Sequence, residues 1–256
     1  MDQIAENLAV VRRRIADAAH VVGRDPAEVR LLLAVKTQPV DAVRAALDAG
    51  ADLLGHNRAQ ELVATGPGLA APGTPAHEMH FIGHLQSNKV NQVLRWAGCV
   101  QTVDTLRLAQ RLDAAVARRV AGTENGAGRN GPAVEDDGGA SPLDVMVQVN
   151  TSGEPTKAGV DPAGAVELAS AVGALPHLRL RGFMTIGANS PDVDVVRASY
   201  EALAQVRRDV LAGGAPGTGD ATELSMGMSG DLEIAVAAGA TMVRVGTAVF
   251  GARPPV

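Results

Sequence analysis

Eight short apolar runs alternate with stretches of helical spacing along this chain, and that rhythm limits the folds open to it. The runs occupy residues 31–35, 52–55, 79–82, 100–103, 145–149, 178–184, 223–226 and 241–245. Unbroken apolar runs bounded by turn residues read as strands covered on both faces, as in a parallel sheet. Helices are expected over 39–49, 57–64, 87–97, 105–120, 162–174, 192–211 and 231–238. Pro39 opens the first of these, Gly50 stops it, and Ser87 is expected to cap the third. Ahead of the first strand, Ile4, Leu8, Val11, Ile15 and Ala18 recur at helical spacing over 2–22. Strands and helices in alternation specify an α/β protein. Eight units in 256 residues favour a single (β/α)8 TIM barrel with an extra N-terminal helix over a doubly wound open sheet. No stretch is left over for a second domain, so 1–256 reads as one domain.

Three segments interrupt the rhythm. Residues 65–77 and 212–220 are rich in glycine, proline and other small residues and read as loops. Residues 121–142 hold Gly, Asn, Asp and Glu with no core-forming pattern and read as a flexible insertion. It joins a helix to a strand, which in a barrel is the face away from the chemistry. Apolar residues make up 46% of the chain but aromatics only 2%, so Ala, Val and Leu must build the core and no stacking platform for nucleic acid is evident. A net charge of −5 argues against a nonspecific DNA binder. The single cysteine, Cys99, reads as a buried small hydrophobe; it excludes an internal disulfide and suits a reducing compartment. No signal-peptide pattern opens the sequence and no apolar run reaches membrane-spanning length, so the cytoplasm is expected.

In a barrel of this kind, reacting groups sit at the C-terminal ends of the strands. After the first strand, Leu31-Leu32-Leu33-Ala34-Val35 runs directly into Lys36 and Thr37. Burial there disfavours an ammonium and frees a nucleophilic amine, the condition for Schiff-base chemistry. The alternative is a strand-end lysine reaching to solvent. Lys36, Lys89 and Lys157 are the only lysines, and all the other basic residues are arginines. Arginine stays protonated and forms no imine, so a lysine kept on that background marks a place where arginine cannot substitute. The other strand ends carry Gly55-His56-Asn57, Gly83-His84 running on to Lys89, Asn150-Thr151-Ser152, Thr185-Ile186-Gly187, Gly227-Met228-Ser229-Gly230 and Gly246-Thr247.

The last two segments have the composition of a phosphate cup. Backbone N–H groups and the Ser229 hydroxyl would face an anion at a helix N-terminus, and Gly246-Thr247 would add donors without Cβ obstruction. Loops after strands seven and eight are the recurrent phosphate position of this fold. The alternative is two tight turns that need glycine for steric reasons. Arg244, inside the last apolar run, needs an acceptor, either a carboxylate or a ring nitrogen of a ligand. His80 reads as a satisfied interior histidine. Lys157 reads as structural or anion-facing, and Lys89 as solvated or in contact with ligand. The histidines lack metal-ligand spacing, so no metal is expected.

Five segments belong together: Ala34-Val35-Lys36-Thr37, His80-Phe81-Ile82-Gly83-His84-Leu85-Gln86-Ser87-Asn88-Lys89, Arg181-Gly182-Phe183-Met184-Thr185-Ile186, Leu224-Ser225-Met226-Gly227-Met228-Ser229, and the run from Met242 through Arg244, Gly246 and Thr247 to Arg253. In combination they resemble the pyridoxal phosphate homeostasis protein family. The resemblance implies a barrel like the N-terminal domain of bacterial alanine racemase, with pyridoxal 5′-phosphate (PLP) held as an aldimine on Lys36. It implies phosphate contacts from Ser229, Gly246 and Thr247, Arg244 toward the pyridine nitrogen, and Asn57, His84 and Met226 as near neighbours. It departs from the family where His56 replaces a glutamate, where Gly230 replaces Asp or Asn, and at the insertion.

An arginine opposite the ring nitrogen weakens carbanion stabilisation. The only tyrosine, Tyr200, is expected far from the rim. The expected function is therefore to hold and deliver PLP to apo-enzymes, as a monomer without efficient catalysis. The alternatives are a PLP-dependent amino-acid racemase, or a barrel for another phosphorylated metabolite.

Overall fold

A computed structural model gives the structure of residues 2–123 and 141–251. Strands β1 (Arg30–Ala34), β2 (Leu53–His56), β3 (Glu78–Phe81), β4 (Cys99–Val103), β5 (Leu143–Gln148), β6 (Leu178–Met184), β7 (Glu223–Ser225) and β8 (Met242–Val245) are all parallel. They close into a barrel in sequence order, with β8 returning to β1. Between and after them lie α2 (Val40–Asp48), α3 (Ala59–Leu69), α4 (Val90–Val93), α5 (Leu106–Thr123), α6 (Pro162–Gly173), α7 (Val193–Gly213), α8 (Leu232–Ala237) and α9 (Thr247–Phe250), and α1 (Asp2–Val21) precedes the first strand. This is the TIM barrel with an N-terminal helix that the sequence predicts. Among the described residues no helix is long and apolar enough to cross a membrane.

Strand alternation sorts the core into two sets. Leu33, Leu54, Val145 and Val243 join the large cluster beneath the helices. Their neighbours Leu32, Leu53, Met146 and Met242 join Cys99 and Met184 in a second cluster, which fills the barrel. At the end where the strands begin, Arg179–Asp144 (2.6 Å) and Arg181–Glu223 (2.9 Å) pair across neighbouring strands, and Arg30 of β1 reaches over β2 to Glu78 of β3 (2.8 Å). Burial, and after it the nearby carboxylates, push the Cys99 thiol up, so it stays protonated. α1 buries Leu8, Val11 and Ile15, its amide Asn7 Nδ2 donates to Val249 O, and its Arg14 clasps Glu233 at 2.7 and 3.0 Å.

Two helices differ from expectation. α3 runs on through Pro67 to Leu69, into the segment read as a loop. Its glycines admit neighbours: a Cβ at Gly66 would lie 2.4 Å from the Trp96 ring, and one at Gly68 2.9 Å from Val40. Packing against those side chains outweighs the poor propensity of a Gly-Pro-Gly sequence. The helix expected over 87–97 reduces to a 3-10 turn, Ser87–Lys89, followed by the single turn α4. Ser87 lies inside that turn rather than capping it. α5 extends to Thr123, so the first residues of the expected insertion are helical, and 124–140 fall outside the described residues.

Candidate functional site

β1 ends at Ala34, and residues 35–38 form a turn closed by Gln38 N–H donating to Val35 O at 3.2 Å. Lys36 occupies its first central position and is half-buried; Thr37, the second, has φ 60°. That is the left-handed position a type II turn requires, in a β-branched residue poorly suited to it. Such strain costs about 1–3 kcal/mol and persists only where surrounding bonds hold it. Here Thr37 N–H donates to Glu61 Oε2 (3.3 Å) and its hydroxyl to Lys36 O (2.6 Å).

β8 flanks this turn. Leu32 pairs with Arg244, Leu33 with Val245, and Gly246 stands against Ala34, where a Cβ would lie 2.8 Å from the Ala34 carbonyl oxygen. Only glycine lets the two strand ends approach this closely. Arg244 is buried, with Nη1 donating to Ser225 Oγ (3.0 Å) and Nη2 to Thr185 O (2.6 Å). Burial pulls its guanidinium down to about 10, which leaves it charged at neutral pH. Among the described residues no carboxylate pairs with it. Most of its five N–H donors therefore remain for a ligand.

Ser225 passes the arginine's bond inward. Its hydroxyl donates to Gln101 Oε1 (2.7 Å), and Gln101 Nε2 donates to His80 Nδ1 (2.8 Å). The His80 proton is thereby assigned to Nε2, which faces Glu78 Oε2 at 3.4 Å. His80 is thus the satisfied interior histidine expected from the sequence, and its bond together with Arg30 pulls the Glu78 carboxyl down to about 2.

On the other side of Arg244, loop 226–231 leads from β7 to α8. The backbone amides of Ser229, Gly230, Gly246 and Thr247 make no hydrogen bond among the described residues, and neither do the hydroxyls of Ser229 and Thr247. Four unpaired amides and two hydroxyls at adjacent strand ends are a donor set for an anion. The helices behind them have only six and four residues, so the donors themselves, more than a helix dipole, define this cup.

Asn57 and His84 follow β2 and β3, on the side of β1 away from β8. They line a cavity of about 560 Å³ with Arg58, Glu61, Gln86 and Lys89, and the Asn57 Oδ1 atom is buried without a partner. Lys36, Arg244 and Ser229 are outside that lining. Gly83 lies so close to Asn57 that a Cβ would overlap its carbonyl oxygen, which fixes the two loops against each other. Lys157 is structural, donating to Glu154 Oε1 and Gly187 O at 2.6 Å each.

Two residues, Met226 and Tyr200, stand differently from expectation. Met226 is fully buried in the outer cluster with Leu224, while Ser225 between them points inward. The Met226 side chain therefore faces the helices and not the mouth. Its neighbour in the sequence, and not Met226, carries the polar contact to Arg244. His56, in place of the family's glutamate, also faces outward, with Nε2 3.2 Å from Thr65 Oγ1. Tyr200 is not remote from the rim: its hydroxyl donates to Asp231 Oδ2 at 2.8 Å, directly behind the β7–α8 loop. From the sequence, Gln101 and Asp231 carry no assignment, Thr185 and Ser225 enter only within longer segments, and Tyr200 reads as distant from the rim. A glutamine inside the wholly buried strand Cys99–Val103 was the one signal available.

The chain matches the family model described as "Alanine racemase, N-terminal domain" over residues 1–254. It is 42% identical over 253 residues to the pyridoxal phosphate homeostasis protein of Escherichia coli K12, covering 99% of this chain and 98% of that one. The protein of the same name from Pseudomonas aeruginosa PAO1 is also 42% identical, over 99% of this chain and 97% of its own. PipY of Synechococcus elongatus PCC7942, solved with PLP bound, superposes with a TM-score of 0.76 at 29% identity, over 97% of this chain and all of its own. An alanine racemase from Clostridium difficile 630 shares the fold alone, with a TM-score of 0.68 at 14% identity, and this chain spans only 57% of it. The chain belongs to the alanine racemase N-terminal domain family, among the pyridoxal phosphate homeostasis proteins.

Proposed function

We propose that this protein binds pyridoxal 5′-phosphate through Lys36 and serves to hold and supply it inside the cell. The observation that carries the reading is the pairing of β1 with β8. It sets the turn bearing Lys36 beside the buried Arg244 and the unpaired amides at 246–247, with the Ser229 amide one strand further on. An amine, a guanidinium and an anion cup are the donor set a phosphorylated pyridine aldehyde requires, and PipY, solved with PLP, supports it. When bound, the cofactor supplies an electrophilic aldehyde and a ring that accepts electrons. Ser229, Gly246 and Thr247 hold the phosphate, and Arg244 faces the ring nitrogen. Arg244 donates and cannot accept a proton, so it keeps that nitrogen unprotonated and favours storage over turnover. Asn57 and His84 border the open side, through which the cofactor leaves for apo-enzymes. We further infer that the protein acts as a monomer in the cytoplasm, in keeping with its single buried cysteine.

The test is the visible spectrum of purified protein titrated with PLP, beside Lys36→Ala. Wild type is expected to develop a band that borohydride bleaches and fixes to the peptide containing residue 36, and the variant to show none. The same band in both proteins would move the attachment elsewhere and defeat the reading.

A further inference from the structure

The β7–α8 loop that presents Ser229 is held from two sides. From outside, Arg14 Nη2 of α1 donates to Ser229 O at 3.0 Å. From inside, Tyr200 of α7, fully buried, donates its hydroxyl to Asp231 Oδ2 at 2.8 Å. The second oxygen of the same carboxylate, Oδ1, accepts the Met228 N–H at 2.6 Å. Asp231 occupies the N-cap position of α8, where its backbone oxygen accepts the Ala235 N–H at 3.1 Å, yet its side chain makes no bond to that helix. A carboxylate at an N-cap ordinarily accepts from the first helical turn. This one is instead turned back into the protein, tied at both oxygens, with two consequences. The Ser229 and Gly230 amides are left without an acceptor, and an acidic group two residues from Ser229 is kept from facing an anion. The Tyr200 ring also shapes the neighbouring β6–α7 loop: Gly187 has φ 72°, and a Cβ there would lie 2.7 Å from the ring.

We propose that Tyr200 and Asp231 are positioning residues that set loop 228–230 for a phosphate monoester, and so set the preference for phosphorylated over unphosphorylated pyridoxal; this rests on the reading of the site as a PLP site. Phenylalanine would fill the same space as Tyr200, so the hydroxyl is the part that matters. Burial and Asp231 push the phenol up, so it remains a donor throughout the physiological range. Without that donor, Asp231 is released to cap α8 or to turn toward the anion. Either movement lets go of Met228 and reshapes the cup.

The experiment titrates wild type, Tyr200→Phe, Asp231→Ala and Asp231→Asn with PLP and, separately, with pyridoxal, following absorbance. Melting of each protein is recorded with and without inorganic phosphate. Wild type is expected to prefer PLP. Tyr200→Phe and Asp231→Ala should weaken PLP about tenfold, the scale of one lost hydrogen bond, and leave pyridoxal unchanged. Asp231→Asn, which still accepts from Met228 and can meet the phenol oxygen, should keep most of the preference. Phosphate should raise the melting temperature of wild type more than that of Tyr200→Phe. Equal loss with both vitamers, or an unchanged ratio, overturns the proposal, since a purely structural tyrosine would give one or the other. If wild type develops no band with either vitamer, the cofactor reading fails, and the phosphate arm alone decides. Equal phosphate shifts, or none in wild type, then overturn the brace.

Discussion

In mild acid, above the range in which Glu78 takes up a proton, this protein should be destabilised by His56. It is fully buried, and its Nε2 lies 3.2 Å from Thr65 Oγ1. The Thr65 hydroxyl already donates its only proton to Glu61 O at 2.9 Å. The imidazole must therefore be the donor in the shared contact, which places its proton on Nε2 and leaves Nδ1 bare. Nδ1 has no partner among the described residues. Protonation would create a charge and an N–H with nothing to receive it, and burial accordingly lowers the pKa from 6.5 to about 4. The unfolded chain then binds more protons than the native one between those values, so stability rises with pH through that window. His56 costs almost nothing above pH 6.5, and its penalty grows as pH falls toward 4. Between pH 7 and pH 5 the linkage relation gives a loss of about 2 kcal/mol. His56→Leu removes the titration and strands no donor, because the threonine proton is already used. Urea midpoints of both proteins at pH 7 and pH 5 isolate the effect from other titrating groups. The variant should gain about 2 kcal/mol on wild type across the interval. Stability profiles that stay parallel would show that the histidine finds a partner when charged and would refute the tautomer argument.

Two further substitutions probe the barrel mouth. Gly246→Ala puts a methyl group 2.8 Å from the Ala34 carbonyl oxygen, where backbone must yield. It should cost about 1–3 kcal/mol in urea denaturation and weaken PLP in the absorbance titration, because the strand end that carries the cup is the part that moves. Gln101→Leu leaves the Ser225 hydroxyl without its acceptor and His80 Nδ1 without its donor inside the barrel. It should cost about 2–4 kcal/mol by the same assay, and a change below 0.5 would show that water replaces the amide, a threshold of about the usual scatter for a neutral site.

The barrel was legible because continuous apolar runs and helical spacing are both local, and each strand lies within two residues of its expected bounds. The rim positions of Lys36, Arg244, Gly246 and Thr247 can be read for a related reason: each follows or interrupts an apolar run, and the end of a run marks the end of a strand. Packing was not legible. Gly66 and Gly68 look like loop residues until Trp96 and Val40 arrive from distant sequence to use the space they leave. Tyr200 reads as remote in the sequence because α7 follows β6 as an outer helix. A tyrosine on its inner face is long enough to reach past the strand ends to Asp231, and only the curvature of the closed barrel brings the two together.

The same reasoning explains why residues at the rim were harder to assign than the rim itself. Beyond each strand end the inward or outward sense of a side chain continues the alternation of the strand. Leu32, Gly55, Met242 and Arg244 share the inward sense, while Met226 and His56 take the other. In a half-exposed antiparallel strand that sense can be counted from alternating polarity. A parallel barrel covers both faces, so Leu31, Leu32 and Leu33 are apolar alike and the count has no origin. One polar residue deep in a strand restores it. Gln101 and Ser225 point inward because they bond to each other there. From Ser225 alone, Leu224 and Met226 must face the helices, and Asp231, beyond the turn, is freed from the strand's rule to meet a tyrosine from behind.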